Sequence, residues 1–79
     1  MEKHSVSIAG HKTSISLEQP FWDELVRISK AQNRSIASLI GEIDVMRIKA
    51  IPQRNLSSAL RIYILDHIKG ENHASHKEN

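Results

Sequence analysis

Apolar and polar positions alternate in two short stretches at the start of the chain. Val6 and Ile8 alternate with Ser5 and Ser7, and Ile15 and Leu17 alternate with Ser14 and Ser16. A period of two with β-branched residues predicts strand. The stretches are out of phase: the first has its apolar residues at even positions, the second at odd ones. One continuous strand would send them to opposite faces. Ala9-Gly10 separates them, and glycine readily takes a positive φ, so a turn or bulge is expected there.

From residue 20 the period becomes helical. Phe21, Leu25 and Ile28 fall at i, i+4 and i+7, and Trp22 and Val26 widen the stripe. Pro20 suits a first helical position, Asp23 and Glu24 an opening turn, and Asn33 a left-handed close. This predicts a helix over 20–32. A second helix is expected over 36–48, with Ser35 as N-cap and Ile36, Leu39, Ile40, Ile43 and Met46 on its apolar face. Gly41 within it points to close approach of another helix. Pro52 interrupts residues 49–54. A third helix is expected over 55–69, with Leu56, Leu60, Ile64 and Ile68 in one row, Asn55 or Ser57 as cap and Gly70 as stop. The polar remainder is expected to be disordered. The organisation is then a ribbon and two-helix core over 1–48, a linker and helix packing on the same domain over 49–70, and a tail over 71–79. No internal repeat or low-complexity segment stands out.

A chain of 79 residues allows one domain with a small core. It has no cysteine, which excludes disulfides and thiolate metal sites and fits a reducing compartment. No apolar run approaches the roughly 20 residues of a membrane span, and the first ten residues lack a secretory pattern. A soluble, cytoplasmic protein is expected. The formal charge of +2 does not by itself argue for nucleic acid. Its distribution says more, since residues 45–65 carry Arg47, Lys49, Arg54 and Arg61 and no acidic residue.

A small core without disulfides points to oligomerisation. So does the strand, whose backbone N–H and C=O groups need partners. The expected partner is the same strand of a second copy, antiparallel across a two-fold axis. Ile15 and Leu17 then face the helices, and Lys12, Ser14 and Ser16 face outward. A two-stranded antiparallel ribbon fits the DNA major groove, where lysine reaches guanine O6/N7 and serine reaches either kind of base edge. Taken alone, Lys-x-Ser-x-Ser is better explained as a solvent-facing strand edge. The order of elements around it reverses that preference.

The stretch KTSISLEQPFWDELVRISKAQNRSIASLIGEI, residues 12–43, resembles the ribbon-helix-helix DNA-binding proteins: a short alternating strand, a helix, a tight turn, a polar cap and a second apolar helix. The wider run from GHKTSISLEQPFWDEL to NLSSALRIYILDHI is similar to a bacterial subgroup of short members with an added C-terminal segment. The resemblance implies a mainly α fold with a short β-ribbon, an intertwined β-α-α homodimer with a third helix, double-stranded DNA as partner, no cofactor and no catalysis. It implies a regulator of transcription, acting as a repressor. It assigns base reading to Lys12, Ser14 and Ser16, and phosphate binding to Arg34, Ser35 and Ser38 at the start of the second helix. It places Ile15, Leu17, Phe21, Leu25, Ile36, Leu39, Ile40 and Ile43 in a dimer core. Lys12 departs from the arginine common at its position, and lacks the planar fork. Asn33 stands where glycine is usual. Residues 5–10 and the third helix lie outside the minimal family core.

Other constellations carry less. His73-x-x-His76 has no fixed third ligand, so no metal site is expected. His11 flanks the ribbon and reads as a surface histidine that could meet phosphate when protonated. Asp66 and His67 are adjacent and point different ways on a helix, with no nucleophile beside them. No glycine-rich phosphate loop occurs, so no enzyme is expected. Phe21, Trp22 and Tyr63 read as core rather than partner hot spots. The alternative is a protein-interaction module, such as an antitoxin whose third helix binds a second protein, with DNA binding secondary or lost.

Overall fold

A computed structural model describes residues 2–77, with side chains for residues 2–71. Two strands precede three helices: β1 (Glu2–Ile8), β2 (His11–Leu17), α1 (Gln19–Ala31), α2 (Ile36–Ala50) and α3 (Leu56–Lys77).

The phase shift in the sequence is the register of a hairpin. β1 and β2 pair antiparallel, from Glu2 opposite Leu17 to Ile8 opposite His11. Ala9 (φ 52°) and Gly10 (φ 81°) both have positive φ, as a two-residue type I′ turn requires. A two-residue turn sets even positions of β1 against odd positions of β2, so Val6 and Ile15 share the inner face. The expectation that the strand finds no partner in its own chain is therefore corrected: β1 lines one edge of β2. Two dihedrals at Ala9-Gly10 close the loop so tightly that the chain itself supplies the missing strand.

The helix ends follow local chemistry. Glu18, in an extended conformation, precedes Gln19, so α1 starts one residue early and its first turn holds no acidic residue. Asp23 and Glu24 thus lie beyond the opening turn where they were expected. Pro20 tolerates the shift because its missing N–H would have no intrahelical acceptor at either position. α1 closes through Asn33 (φ 57°), whose N–H donates to Lys30 O while the Arg34 N–H donates to Ser29 O, both at 3.0 Å. These are the paired bonds of a Schellman cap. Ser35 Oγ caps α2 by accepting from the Ser38 N–H at 3.1 Å. Asn55 Oδ1 does the same for α3 from the Ser58 N–H at 2.7 Å.

α3 does not stop at Gly70. A helical glycine costs about 1 kcal/mol without breaking the helix, and among the described residues Gly10 is the only glycine with positive φ. Of the expected tail, residues 78–79 and the side chains of residues 72–79, including His73 and His76, lie outside the described residues. Gly41 faces the hairpin rather than another helix, since a Cβ there would meet Ile8 Cγ2 at 3.6 Å.

The core draws on every element: Val6, Ile15 and Leu17 from the hairpin, Leu25 and Ile28 from α1, Leu39, Ile40 and Ile43 from α2, and Ala59, Leu60 and Ile64 from α3. β1 packs on α2, β2 on α3, and the two helices on each other. Of the residues expected in a dimer core, Ile15, Leu17, Leu25, Leu39, Ile40 and Ile43 are buried within the single chain, while Phe21 and Ile36 are partly buried against it. Their burial needs no second chain, because β1 and α3 provide the covering surface. An ion pair fastens α3 to the start of α1: Arg61 Nε lies 2.9 Å from Glu18 Oε1, and the guanidinium carbon 6.0 Å from the Phe21 ring centroid.

Candidate nucleic-acid interface

The outer face of the hairpin is wholly polar. Lys12 and Ser14 are exposed there and Ser16 is half-buried. β1 adds three exposed residues to the same face, with Lys3 opposite Ser16, Ser5 opposite Ser14 and Ser7 opposite Lys12. Two lysines occupy diagonal corners and four hydroxyls lie between them. Reading the sequence missed Lys3, Ser5 and Ser7 as members of this face. The signal that could have found them was the phase shift across Ala9-Gly10. α3 begins beside the far end of β2, where the Ser57 hydroxyl donates to the Ser16 carbonyl at 2.8 Å.

A second polar cluster forms where α1 gives way to α2. The Schellman cap turns the chain so that Arg34 precedes the new helix. Its guanidinium folds over the first turn, donating through Nη2 to Ser38 O and Ser38 Oγ, each at 3.0 Å. Nη1 reaches the Glu42 carboxylate at 2.7 Å. Arg34, Ser35 and Ser38 are thus brought together, but Ser35 is occupied as the cap and Arg34 is held by Glu42, which sequence reading did not include. No acidic residue lies in the first turn of α2, so its free N–H groups and dipole favour an anion.

Phe21, Trp22 and Tyr63 pack against the core. Among the described residues, no group of three His, Cys, Asp or Glu side chains could hold a metal ion, and no helix is long and apolar enough to cross a membrane.

An antiparallel ribbon with a polar outer face, packed on α2 and α3, defines a class. The sequence model of the ribbon-helix-helix domain matches residues 1–68, from β1 through most of α3. The chain belongs to the ribbon-helix-helix family, a family of DNA-binding regulators that are typically not enzymes. The match takes in β1 and most of α3, which the resemblance over residues 12–43 left outside. No curated protein and no solved structure matches the chain.

Proposed function

We propose that the protein is a dimeric, sequence-specific DNA-binding repressor of transcription, working in the cytoplasm, that inserts the hairpin's outer face into the major groove. The observation that carries this reading is the exposed polar face of the two-stranded ribbon, with lysines at its corners. Two strands about 4.8 Å apart fit a groove roughly 12 Å wide. Lys12 reaches guanine O6/N7, and Ser14 and Ser16 meet neighbouring base edges. Arg34, Ser35 and Ser38 hold a backbone phosphate at the start of α2 and set the ribbon's register on the duplex. The dimer contact uses apolar side chains that the single-chain core leaves exposed: Val45, Met46, Ile48 and Ile51, with Ile62 and Leu65 on α3. Val45, Met46 and Ile48, exposed close together in the second half of α2, call for further cover.

The test is the double variant Lys12→Ala, Ser14→Ala. It is expected to keep fold and dimer and to lose specific binding to a duplex selected from a random library, while wild-type binding weakens steeply with salt. Unchanged affinity would show that the ribbon is not the reader. The exposed Ile62 and Leu65 also support a second reading, in which α3 receives a protein partner. Changing both to aspartate is expected to break the homodimer. A dimer that survives the change assigns these two residues to another protein.

A further inference from the structure

The guanidinium of Arg34 has no donor to spare. Nε donates to Ser38 Oγ at 3.3 Å, and Nη2 donates to Ser38 O and Ser38 Oγ, each at 3.0 Å. Nη1 donates to the Glu42 carboxylate at 2.7 Å and to Gln32 Oε1 at 3.4 Å. These bonds match one for one the five N–H groups that an arginine carries. Only 25% of the Arg34 side chain is exposed, against 52% for Glu42. Gln32 ties the cluster to a third helix, because its Nε2 donates to the Tyr63 hydroxyl at 3.3 Å. The Gln32 backbone is fixed as the C-cap of α1, where its N–H donates to Ile28 O at 3.0 Å. Tyr63 packs against the core from α3, with its ring centroid 6.1 Å from that of His67.

We propose that α3 gates the phosphate contact at the start of α2. Tyr63 and Gln32 are positioning residues that keep Arg34 withdrawn over the first turn of α2 until a duplex displaces it. This rests on the phosphate role given to Arg34 above, and adds what controls it. Both residues act through Arg34 rather than on the duplex.

The order of the contacts sets the direction of control. An amide offers a donor at one end and an acceptor at the other. The Tyr63 hydroxyl, held by the packing of its ring, takes the donor end of Gln32, which leaves Oε1 for Arg34. Nη1 is then shared between a carboxylate and an amide oxygen, and a phosphate must displace both. Glu42 is charged but exposed, so water screens it. Gln32 is anchored twice, by its backbone in the α1 cap and by its side chain on α3. Displacement of Tyr63 therefore releases Gln32 first and Arg34 next. Coupling between two sites is reciprocal, so a phosphate taken up by Arg34 loosens the Gln32–Tyr63 contact in turn.

The experiment measures binding of the full-length chain, by fluorescence anisotropy at low salt, to a duplex selected by the wild type. The variants are Gln32→Ala, Tyr63→Phe and Arg34→Ala, with each of the first two also combined with Arg34→Ala. Gln32 is exposed and Tyr63→Phe keeps the ring, so circular dichroism is expected to show every chain folded. Arg34→Ala is expected to weaken binding and to lower the salt slope by about one. Gln32→Ala and Tyr63→Phe are each expected to tighten binding by roughly two- to five-fold, and to have no effect in the Arg34→Ala background. Without DNA, both are expected to speed exchange of the Arg34 Nε proton with water in NMR, a signal that a packing change elsewhere would not move. If either variant leaves affinity unchanged or weakens it, while Arg34→Ala still weakens binding, the gate falls and the phosphate contact stands. An effect that persists in the Arg34→Ala background also overturns the gate. If Arg34→Ala changes neither affinity nor slope, the phosphate contact itself fails, and the gate with it.

Discussion

The imidazole of His4 lies flat on the indole of Trp22, with ring centroids 3.8 Å apart and planes 4° from parallel. The stack ties β1, the strand that completes the ribbon, to α1. It also leaves His4 Nε2 buried with no hydrogen-bond partner. Trp22 is the only tryptophan, so its fluorescence reports on this contact. His4→Phe keeps an aromatic stack and removes an unsatisfied polar atom, and is expected to stabilise the fold by about 1 kcal/mol. His4→Ala loses the aromatic pair and is expected to cost about 1 kcal/mol. Urea unfolding followed by Trp22 emission ranks the three proteins. The reverse order would show that the stack does not hold β1.

The turn makes a prediction of opposite sign at adjacent positions. Ala9 holds a left-handed φ that costs an L-residue roughly 1–2 kcal/mol. Asparagine tolerates it better, and Asn-Gly favours the type I′ turn. Ala9→Asn is expected to raise the melting temperature by a few degrees. Gly10→Ala meets no neighbour within 4 Å, so any loss reports backbone strain alone, and it is expected to cost about 1 kcal/mol. Calorimetry on the two variants checks the signs.

α3 belongs to the core rather than to an appendage. Leu60 is fully buried, and Leu60→Ala is expected to cost about 3 kcal/mol. Against a total of about 4–12 kcal/mol for a domain of this size, that is a large share. A chain ending at Arg54 is expected to be unfolded by circular dichroism. A folded truncated chain would show that the hairpin and first two helices suffice.

The Glu18–Arg61 pair sets a pH dependence. The Arg61 hydrogen bond, with smaller help from a backbone hydrogen bond, holds the Glu18 carboxyl below its ordinary value of 4.5. A carboxylate with a lowered folded pKa contributes stability that is complete above the unfolded value and is lost as pH falls through the folded one. Wild type and Arg61→Gln are therefore expected to differ in urea midpoint by a constant amount at neutral pH, and to converge below about pH 4.5. The pair is partly open to solvent, so added salt is expected to narrow the gap. A difference that persists unchanged near pH 3 would assign the effect of Arg61 to its contact with Phe21.

Glu42 competes with phosphate for Arg34. On the proposed function, Glu42→Gln frees the guanidinium and removes a negative charge near the duplex. An exposed pair is worth up to about 1 kcal/mol, so DNA affinity at low salt is expected to rise by up to about five-fold. Fluorescence anisotropy on a selected duplex measures it. Weaker binding would mean that Glu42 holds Arg34 in its working position.

Much of this fold was legible along the chain because it is local. Alternation marked both strands. The stripe through Phe21, Leu25 and Ile28 marked α1. Ser35 marked the start of α2, Asn55 or Ser57 that of α3, and Asn33 the close of α1. Lys12, Ser14 and Ser16 were placed outward by the same alternation that buries Ile15 and Leu17. Lys3, Ser5 and Ser7 were not recognised, because their face depends on the register across Ala9-Gly10.

The sequence by itself determined most of the residues that turn inward and, to within a residue or two, where each helix begins, since periodicity and capping act within a few residues; Met46, on the expected apolar face of α2, is instead exposed. Only the tertiary structure decided what covers those inward residues. Ile15 and Leu17 are apolar whether a partner's helices or α3 cover them, and β2 accepts any antiparallel neighbour that arrives in register. That choice rested on two positive dihedrals at Ala9 and Gly10 and on Leu60 and Ile64 reaching back across the chain. Both are long-range outcomes of short-range geometry, and no window of the sequence contains them.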